Sequence, residues 1–185
     1  HLPYGEKSKE SIQNFSKRII EFLIQQKCKL IIIACNSASS FADSTVINIA
    51  GDTILFNVID PVIEEITKTN KYYNIGVIGT KATIDSNIYT KKITQKRSNI
   101  NVTSLATPLL APMIEEGFIN DGISQKIISN YLSDKKLIDI DLLILACTHY
   151  PLIQKKIKKY YNNNVTVLDS ANIVANYIAK KLKRY

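Results

Sequence analysis

The sequence predicts an α/β protein of two similar domains, with mainly parallel sheets flanked by helices and an active site at the domain interface. Apolar runs of strand length alternate with helical patterns along the whole chain. The strands are apolar on both faces, which is typical of parallel sheets covered by helices on both sides. Two of these runs, 30–34 and 142–146, each end in Ala-Cys and lead into a helical pattern, which indicates a duplicated architecture.

Each element in the first third of the chain follows from a local pattern. Apolar residues at helical spacing predict a helix over 8–26, and the run after it predicts a buried strand over 30–34. A helix over 39–50, a turn at Gly51-Asp52 and a strand over 53–59 come next. Asp60-Pro61 begins another helix, because proline suits the first helical turn.

The rest of the chain continues the alternation. The predicted strands cover 75–78, 102–106, 142–146 and 165–168, and the predicted helices cover about 83–93, 121–132, 151–160 and 171–183. A loop is predicted around Pro108 and Pro112. We expect a first domain of residues 1–62, to which the C-terminal helix at about 171–185 returns, and a second domain of residues 63–170.

The composition is that of an ordinary globular protein, with 45% hydrophobic and 22% charged residues among 185. The net charge of +8 is scattered over the predicted outer faces of helices, which favours solvated surface over a nucleic-acid site. No apolar run approaches the roughly 18 residues of a membrane span, and the N-terminus has no signal pattern. We therefore expect neither nucleic-acid nor membrane partners.

The cysteine and histidine pattern argues against metal and disulfide chemistry. Three cysteines and two histidines have no metal-ligand spacing, so neither a metal site nor a disulfide framework is predicted. Free thiols favour a reducing, cytoplasmic location. Gly76 and Gly79 are too few for a dinucleotide-binding loop, which disfavours nucleotide cofactors. Cys28 lies in a helix-to-strand connection and is predicted to be structural.

Cys35, Thr80 and Cys147 each stand at the carboxyl end of a predicted strand, where open α/β sheets bind ligands. A helix N-terminus lowers the pKa of a thiol, which makes the thiolate available as a general base and the thiol as a general acid. Two thiols that face one ligand from opposite sides suit a reaction that removes a proton from one face of a carbon and returns one to the other. For either cysteine alone, a small core residue is the simpler interpretation, and for His149 alone a neutral, hydrogen-bonded histidine.

Residues 34–39 (ACNSAS) and 146–153 (ACTHYPLI) closely resemble the two signature motifs of glutamate racemases, which are members of the aspartate/glutamate racemase family. Supporting resemblances occur in the family's order at 2–5, 76–83, 112–117 and 168–170. Aspartate racemases share the paired cysteines. The Thr-His-Tyr-Pro continuation after the second cysteine favours the glutamate branch.

The resemblance implies a cofactor-independent enzyme that interconverts L- and D-glutamate and supplies D-glutamate for peptidoglycan. By this resemblance, Cys35 deprotonates D-glutamate, Cys147 deprotonates L-glutamate, and His149 supports Cys147. Glu116 corresponds to an acidic residue near the family's active site, and the adjacent Glu115 is the alternative alignment. The positions that resemble substrate-binding residues of the family are Pro3, Tyr4, Gly5, Asn36, Ser37, Thr80, Thr83 and Thr148.

The chain departs from the family pattern at its N-terminus. The family begins with a strand followed by an Asp-Ser-Gly motif, which is absent here, so we expect an N-terminally incomplete chain. Two alternatives stay open: a racemase of the same family that acts on aspartate or another amino acid, and an inactive fragment that retains the fold. The sequence leaves the oligomeric state open, with a homodimer among the alternatives.

Overall fold

The computed structural model describes residues 3–183, apart from the side chains of residues 43–45. Positions 1, 2, 184 and 185, which the predicted first domain includes, lie outside the described residues. The strands are β1 Leu30–Ile33, β2 Ile54–Asn57, β3 Asn74–Gly79, β4 Asn101–Ala106, β5 Leu142–Ala146 and β6 Thr166–Leu168. The α-helices are α1 Lys9–Gln25, α2 Asn36–Ala50, α3 Asp60–Thr67, α4 Lys81–Asp85, α5 Ile88–Lys96, α6 Leu110–Glu115, α7 Gly122–Leu132, α8 Gln154–Tyr160 and α9 Ser170–Leu182.

The strands form two parallel sheets, which confirms the predicted α/β class. One sheet pairs β1 with β2, and the other has the order β4-β3-β5-β6. All the strand pairs are parallel. Gly79 at the end of β3 pairs with Ala146 at the end of β5, so the residues that follow, Thr80 and Cys147, emerge at the same edge of the larger sheet.

The larger sheet is covered on both faces, because every residue of β5 is buried. Leu142 and Ile144 pack in the core that includes side chains of α3 and α5. Leu143 and Leu145 pack in a second core that includes side chains of α7 and α8. This alternation is what the two-residue period of a strand produces, and it explains why β5 reads as a continuous apolar run.

The smaller sheet packs against α1 and α2 through a core that includes Ile12, Ile31 and Ile33. The sequence predicted a strand covered on both faces here, but Ile32 of β1 is 43% exposed, and Phe22 of α1 is exposed as well. Within the described residues, β2 is the one strand that pairs with β1. The prediction of two-sided burial is therefore wrong for this strand as the structure describes it.

Backbone details explain three further differences from the predicted elements. The helix predicted over 83–93 is two helices, because Asn87 adopts a left-handed conformation (φ 56°) between α4 and α5. The loop predicted around Pro112 is the short helix α6, which accepts proline near its start because first-turn N–H groups have no helical partner. The helix predicted over 151–160 begins as a 3₁₀ turn at Tyr150–Ile153 before α8.

The C-terminal helix α9 lies against α3, where Val174 and Ile178 pack with Val58. This contact brings the end of the chain beside the segment that links β2 to β3. The division into residues 1–62 with 171–185 and residues 63–170 stays a prediction.

Candidate active site

A cavity of about 390 Å³ lies where the ends of β1 and β5 meet the N-termini of α2 and α4. Both cysteines of the Ala-Cys motifs line it. The other lining residues that the sequence predicted are Pro3, Tyr4, Gly5, Asn36, Ser37, Thr80, Thr148 and His149. The structure thus brings the carboxyl ends of strands from the two sheets to one cavity, and such strand ends are where α/β sheets bind ligands.

Several lining residues were missed by the sequence analysis. They are Ser16, Ile19, Ile20 and Leu23 of α1, together with Pro108, Ala111 and Pro112 around α6. The second group follows β4, whose last residue Ala106 pairs with Gly79 of β3. The strand-end rule that singled out Thr80 would have found this segment had it been applied to β4.

Cys35 lies two residues after the end of β1 and is the N-cap residue of α2, with an extended backbone. Its carbonyl oxygen accepts the Ser39 N–H in the first turn of that helix. The thiol is half-buried and lies at the wall of the cavity. This placement at an α-helix N-terminus is the one that the sequence predicted.

Cys147 has a different environment from the predicted one. It is 6% exposed, and a 3₁₀ turn rather than an α-helix follows it, so the expected helix N-terminus is absent at this position. Burial raises the pKa of the Cys147 thiol to about 11, while the backbone N–H of His149 acts in the opposite direction and the charge of Cys35 adds to the increase. The predicted lowering of the pKa is therefore wrong for Cys147.

His149 connects Cys147 to a carboxylate. Its Nδ1 lies 3.7 Å from Cys147 Sγ, and its Nε2 lies 3.2 Å from Glu115 Oε1. The sequence left open which of two adjacent glutamates faces the site. The structure places Glu115 in the cavity wall and against His149, whereas Glu116 is exposed at the C-cap of α6 and is not among the lining residues.

Three hydroxyls, which we call the hydroxyl cluster, join the start of α2 to the start of α4. Ser37 Oγ lies 2.8 Å from Thr80 Oγ1 and 3.2 Å from Thr83 Oγ1, and the two threonine oxygens are 3.1 Å apart. Ser37 and Thr80 line the cavity, whereas Thr83 is buried behind them. Hydroxyls can donate to a carboxylate or accept from an ammonium group, so the cluster suits an amino acid.

The close approach of Gly5 to Thr80 shapes this side of the cavity. A Cβ atom added at Gly5 would lie 2.6 Å from Thr80 Cβ, a distance that carbon atoms do not tolerate. The absence of a side chain at Gly5 therefore allows the N-terminal turn to pack against the hydroxyl cluster. Tyr4, beside it, has its pKa raised by burial and by the charge of Cys35.

Asn36 is 2% exposed at the first position of α2. Its Oδ1 accepts a hydrogen bond of 2.7 Å from the Tyr89 hydroxyl, and its Nδ2 has no partner among the described residues. Sequence analysis did not single out Tyr89, which is buried on the core side of α5.

Neither a metal centre nor a membrane-spanning helix occurs in the part of the chain that the structure describes. No cluster of three or more histidine, cysteine, aspartate or glutamate side chains is arranged to hold a metal ion there. Among the described helices, none has the length and apolar character needed to cross a membrane.

Known proteins resemble this chain over its whole length. The profile of the family described as Asp/Glu/hydantoin racemase matches residues 1–178. Glutamate racemase of Chlorobaculum parvum is 38% identical over 184 residues, which cover 100% of this chain and 68% of that protein. Glutamate racemase of a Hydrogenobaculum species is 39% identical, with 98% of this chain and 69% of the relative covered.

Solved structures give the same result. Glutamate racemase of Francisella tularensis, solved with D-glutamate, has a TM-score of 0.91 and 38% identity, and the match covers 100% of this chain and 68% of that one. An isoform from Bacillus anthracis has a TM-score of 0.92 and 34% identity, covering 100% and 69%. Aspartate racemase of Picrophilus torridus has a TM-score of 0.65 and 25% identity, covering 91% and 68%.

Proposed function

Because this chain belongs to the Asp/Glu/hydantoin racemase family, we propose that it interconverts L- and D-glutamate with two thiols and no cofactor. The observation that carries the proposal is the single cavity that holds Cys35, from the end of one sheet, and Cys147, from the end of the other. D-glutamate made in this way supplies peptidoglycan synthesis.

Each direction of the reaction uses one thiolate and one thiol. In the D-to-L direction, the Cys35 thiolate takes the α-proton and becomes a thiol, and the Cys147 thiol gives a proton to the opposite face of the carbanion and becomes a thiolate. The L-to-D direction reverses both transfers. The raised pKa of Cys147 keeps it protonated near neutral pH, which is the form that the D-to-L direction requires.

The second direction needs Cys147 as a thiolate. His149 lies at 3.7 Å from the sulfur, and Glu115 holds the other nitrogen of the ring. An imidazole N–H at this distance can donate to a thiolate and stabilise it, and the Glu115 contact holds the ring in place. We therefore assign His149 the role of supporting Cys147 and Glu115 the role of positioning His149. Glu116 does not line the cavity, so we assign the family's acidic position to Glu115.

The α-proton of an amino acid is weakly acidic, so the carbanion needs stabilisation without a cofactor. We assign Asn36, Thr148 and the hydroxyl cluster to the substrate carboxylates, because their side chains can donate hydrogen bonds and all of them except Thr83 line the cavity. Pro3, Tyr4 and Gly5 also line the cavity, with Gly5 packed against Thr80, and limit the access of water. A cavity of about 390 Å³ is at the small end of the usual range for ligand sites, as suits a single amino acid.

Aspartate is the alternative substrate, since it is shorter by one methylene group. A pocket separates two such substrates by roughly 1 to 3 kcal/mol. The two curated relatives described above are named glutamate racemases and are 38% and 39% identical to this chain, whereas the aspartate racemase is 25% identical.

We also propose a cytoplasmic location, because thiol catalysis needs reduced cysteines. A homodimer stays a prediction.

Exchange of the α-proton in D₂O, followed by proton NMR, tests the function. We expect the protein to exchange and invert both glutamate enantiomers faster than it does aspartate. Cys35→Ala and Cys147→Ala should each stop inversion. Cys28→Ala is the matched control, because Cys28 packs in the core beside α1 and does not line the cavity. Inversion that survives either change at the site contradicts the two-thiol mechanism. Glutamate binding without exchange, in a folded protein, favours the inactive-fragment alternative.

A further inference from the structure

A buried tyrosine outside the cavity donates a hydrogen bond to a side chain that lines the cavity. Tyr89, the second residue of α5, is 2% exposed, and its hydroxyl donates to Asn36 Oδ1 at 2.7 Å. Burial, with the charge of Asp60 as a smaller cause, raises the pKa of Tyr89 well above its ordinary value. The hydroxyl therefore keeps its proton and acts as the donor in this bond.

The direction of this hydrogen bond determines which way the Asn36 carboxamide is turned. A tyrosine hydroxyl that donates to Oδ1 holds the oxygen toward α5 and leaves Nδ2 on the other side. Nδ2 is buried and has no hydrogen-bond partner among the described residues. Buried amide donors are nearly always paired in native proteins, and Asn36 is a lining residue of the cavity, so the missing partner of its Nδ2 is a group that a ligand can supply.

The chemistry of an amino-acid substrate identifies that group. Nδ2 can only donate, and the ammonium group of glutamate can only donate, so these two cannot pair. The carboxylate oxygens are the acceptors that glutamate offers. We propose that Tyr89 is a positioning residue that orients Asn36 so that Nδ2 donates to a carboxylate of bound glutamate. The inference rests on the proposed function for the identity of this ligand.

The reverse orientation shows why the position of Tyr89 matters. If the carboxamide of Asn36 rotated by half a turn, Oδ1 would face the substrate carboxylate, and two acceptors would meet without a proton between them. Tyr89 belongs to the same core as β3 and β5, so its hydroxyl is held by a rigid part of the larger sheet unit. Asn36, by contrast, begins the helix that follows β1 in the smaller sheet.

Binding of racemic glutamate, measured by calorimetry, tests this role without depending on turnover. We expect Tyr89→Phe to weaken binding about tenfold, because an Asn36 that is no longer oriented loses its hydrogen bond to the charged carboxylate of the ligand. The same change should raise KM more than it lowers kcat. Tyr150→Phe is the matched control: its buried hydroxyl lies 2.7 Å from Thr107 Oγ1, and Tyr150 does not line the cavity. We expect it to lower thermal stability similarly and leave glutamate affinity within twofold.

A double variant separates a positioning role from a structural one. In an Asn36→Ala background, Tyr89→Phe should weaken binding no further, because the side chain through which it acts is gone. An equal additional loss in that background overturns the inference, and so does a loss of affinity in Tyr150→Phe as large as that in Tyr89→Phe.

The two proposals fail in different ways. Binding with the expected coupling but without α-proton exchange overturns the proposed function and leaves the role of Tyr89 supported. Exchange with additive effects overturns the role of Tyr89 alone. A folded protein that binds no glutamate overturns both.

Discussion

Alkylation of Cys147 across a pH series tests the main electrostatic feature of the site. Burial raises the pKa of this thiol from 9.0 to about 11. The thiolate is the reactive form, and about one Cys147 in 10,000 should be a thiolate at pH 7, compared with about one in 100 at the ordinary pKa, so alkylation should be about 100 times slower. The rate constant with iodoacetamide should therefore rise about tenfold per pH unit from pH 6.5 to pH 10 without a plateau.

Peptide mass spectrometry measures the label at Cys147 separately from the other two cysteines, so the unmodified protein can be used. The urea-unfolded chain is the reference, in which the midpoint should return to about 9. Circular dichroism at each pH shows whether the fold persists. If the rate constant of Cys147 reached a plateau at or below pH 9 in the folded protein, burial would not raise the pKa of this thiol.

The raised pKa of Cys147 also makes the free energy of unfolding depend on pH. The folded state holds the Cys147 proton more tightly than the unfolded state, so the stabilisation is fully present below pH 9 and is lost as the pH rises through about 11. A rise of about two pKa units corresponds to about 3 kcal/mol in the free energy of unfolding.

Two further predictions compare matched pairs of residues. Glu115→Gln removes the carboxylate that contacts His149 Nε2, where the His149 and Glu115 side chains are 40% and 36% exposed, so kcat/KM should fall about fivefold. The fall should be equal in both directions, because enantiomers have equal free energies. Glu116→Gln should change kcat/KM by less than about twofold, and equal effects of the two changes in steady-state assays would contradict the assignment. Gly5→Ala should lower the affinity for glutamate, measured by calorimetry, because the added Cβ displaces the hydroxyl cluster. Gly76→Ala is its control: the added Cβ meets the flexible ends of two side chains at 2.9 Å, so this change should lower the melting temperature and leave the glutamate affinity unchanged.

Local patterns were enough to predict most of the architecture. The apolar run of β5 is buried on both faces, and residues at helical spacing before β1 form α1. Single backbone conformations could not be predicted in the same way. The left-handed Asn87 divides one predicted helix into two, and nothing in the apolar spacing of residues 83–93 marks that position.

The candidate site could be predicted where it depends on strand ends. Cys35, Thr80 and Cys147 were placed by that rule, and all three line the cavity. The pKa of Cys147 could not be predicted, because the effect of a helix N-terminus depends on an α-helix that starts at the thiol, whereas burial depends on the packing of distant segments. Tyr89 is separated from Asn36 by 53 positions, so its contact arises only from the tertiary structure.

Burial makes Cys35 and Cys147 unequal partners in a reaction that is energetically symmetric. It favours the protonation state in which Cys147 keeps its proton, which is the state that accepts D-glutamate in the proposed mechanism. Each turnover leaves the protein in the protonation state that accepts the opposite enantiomer. The two thiols must therefore exchange protons before the protein can turn over the same enantiomer again. Because kcat/KM is equal in both directions, the inequality of the thiols must appear in kcat and KM separately. His149, held by Glu115 at 3.2 Å, is the described group placed to reduce that inequality when L-glutamate binds.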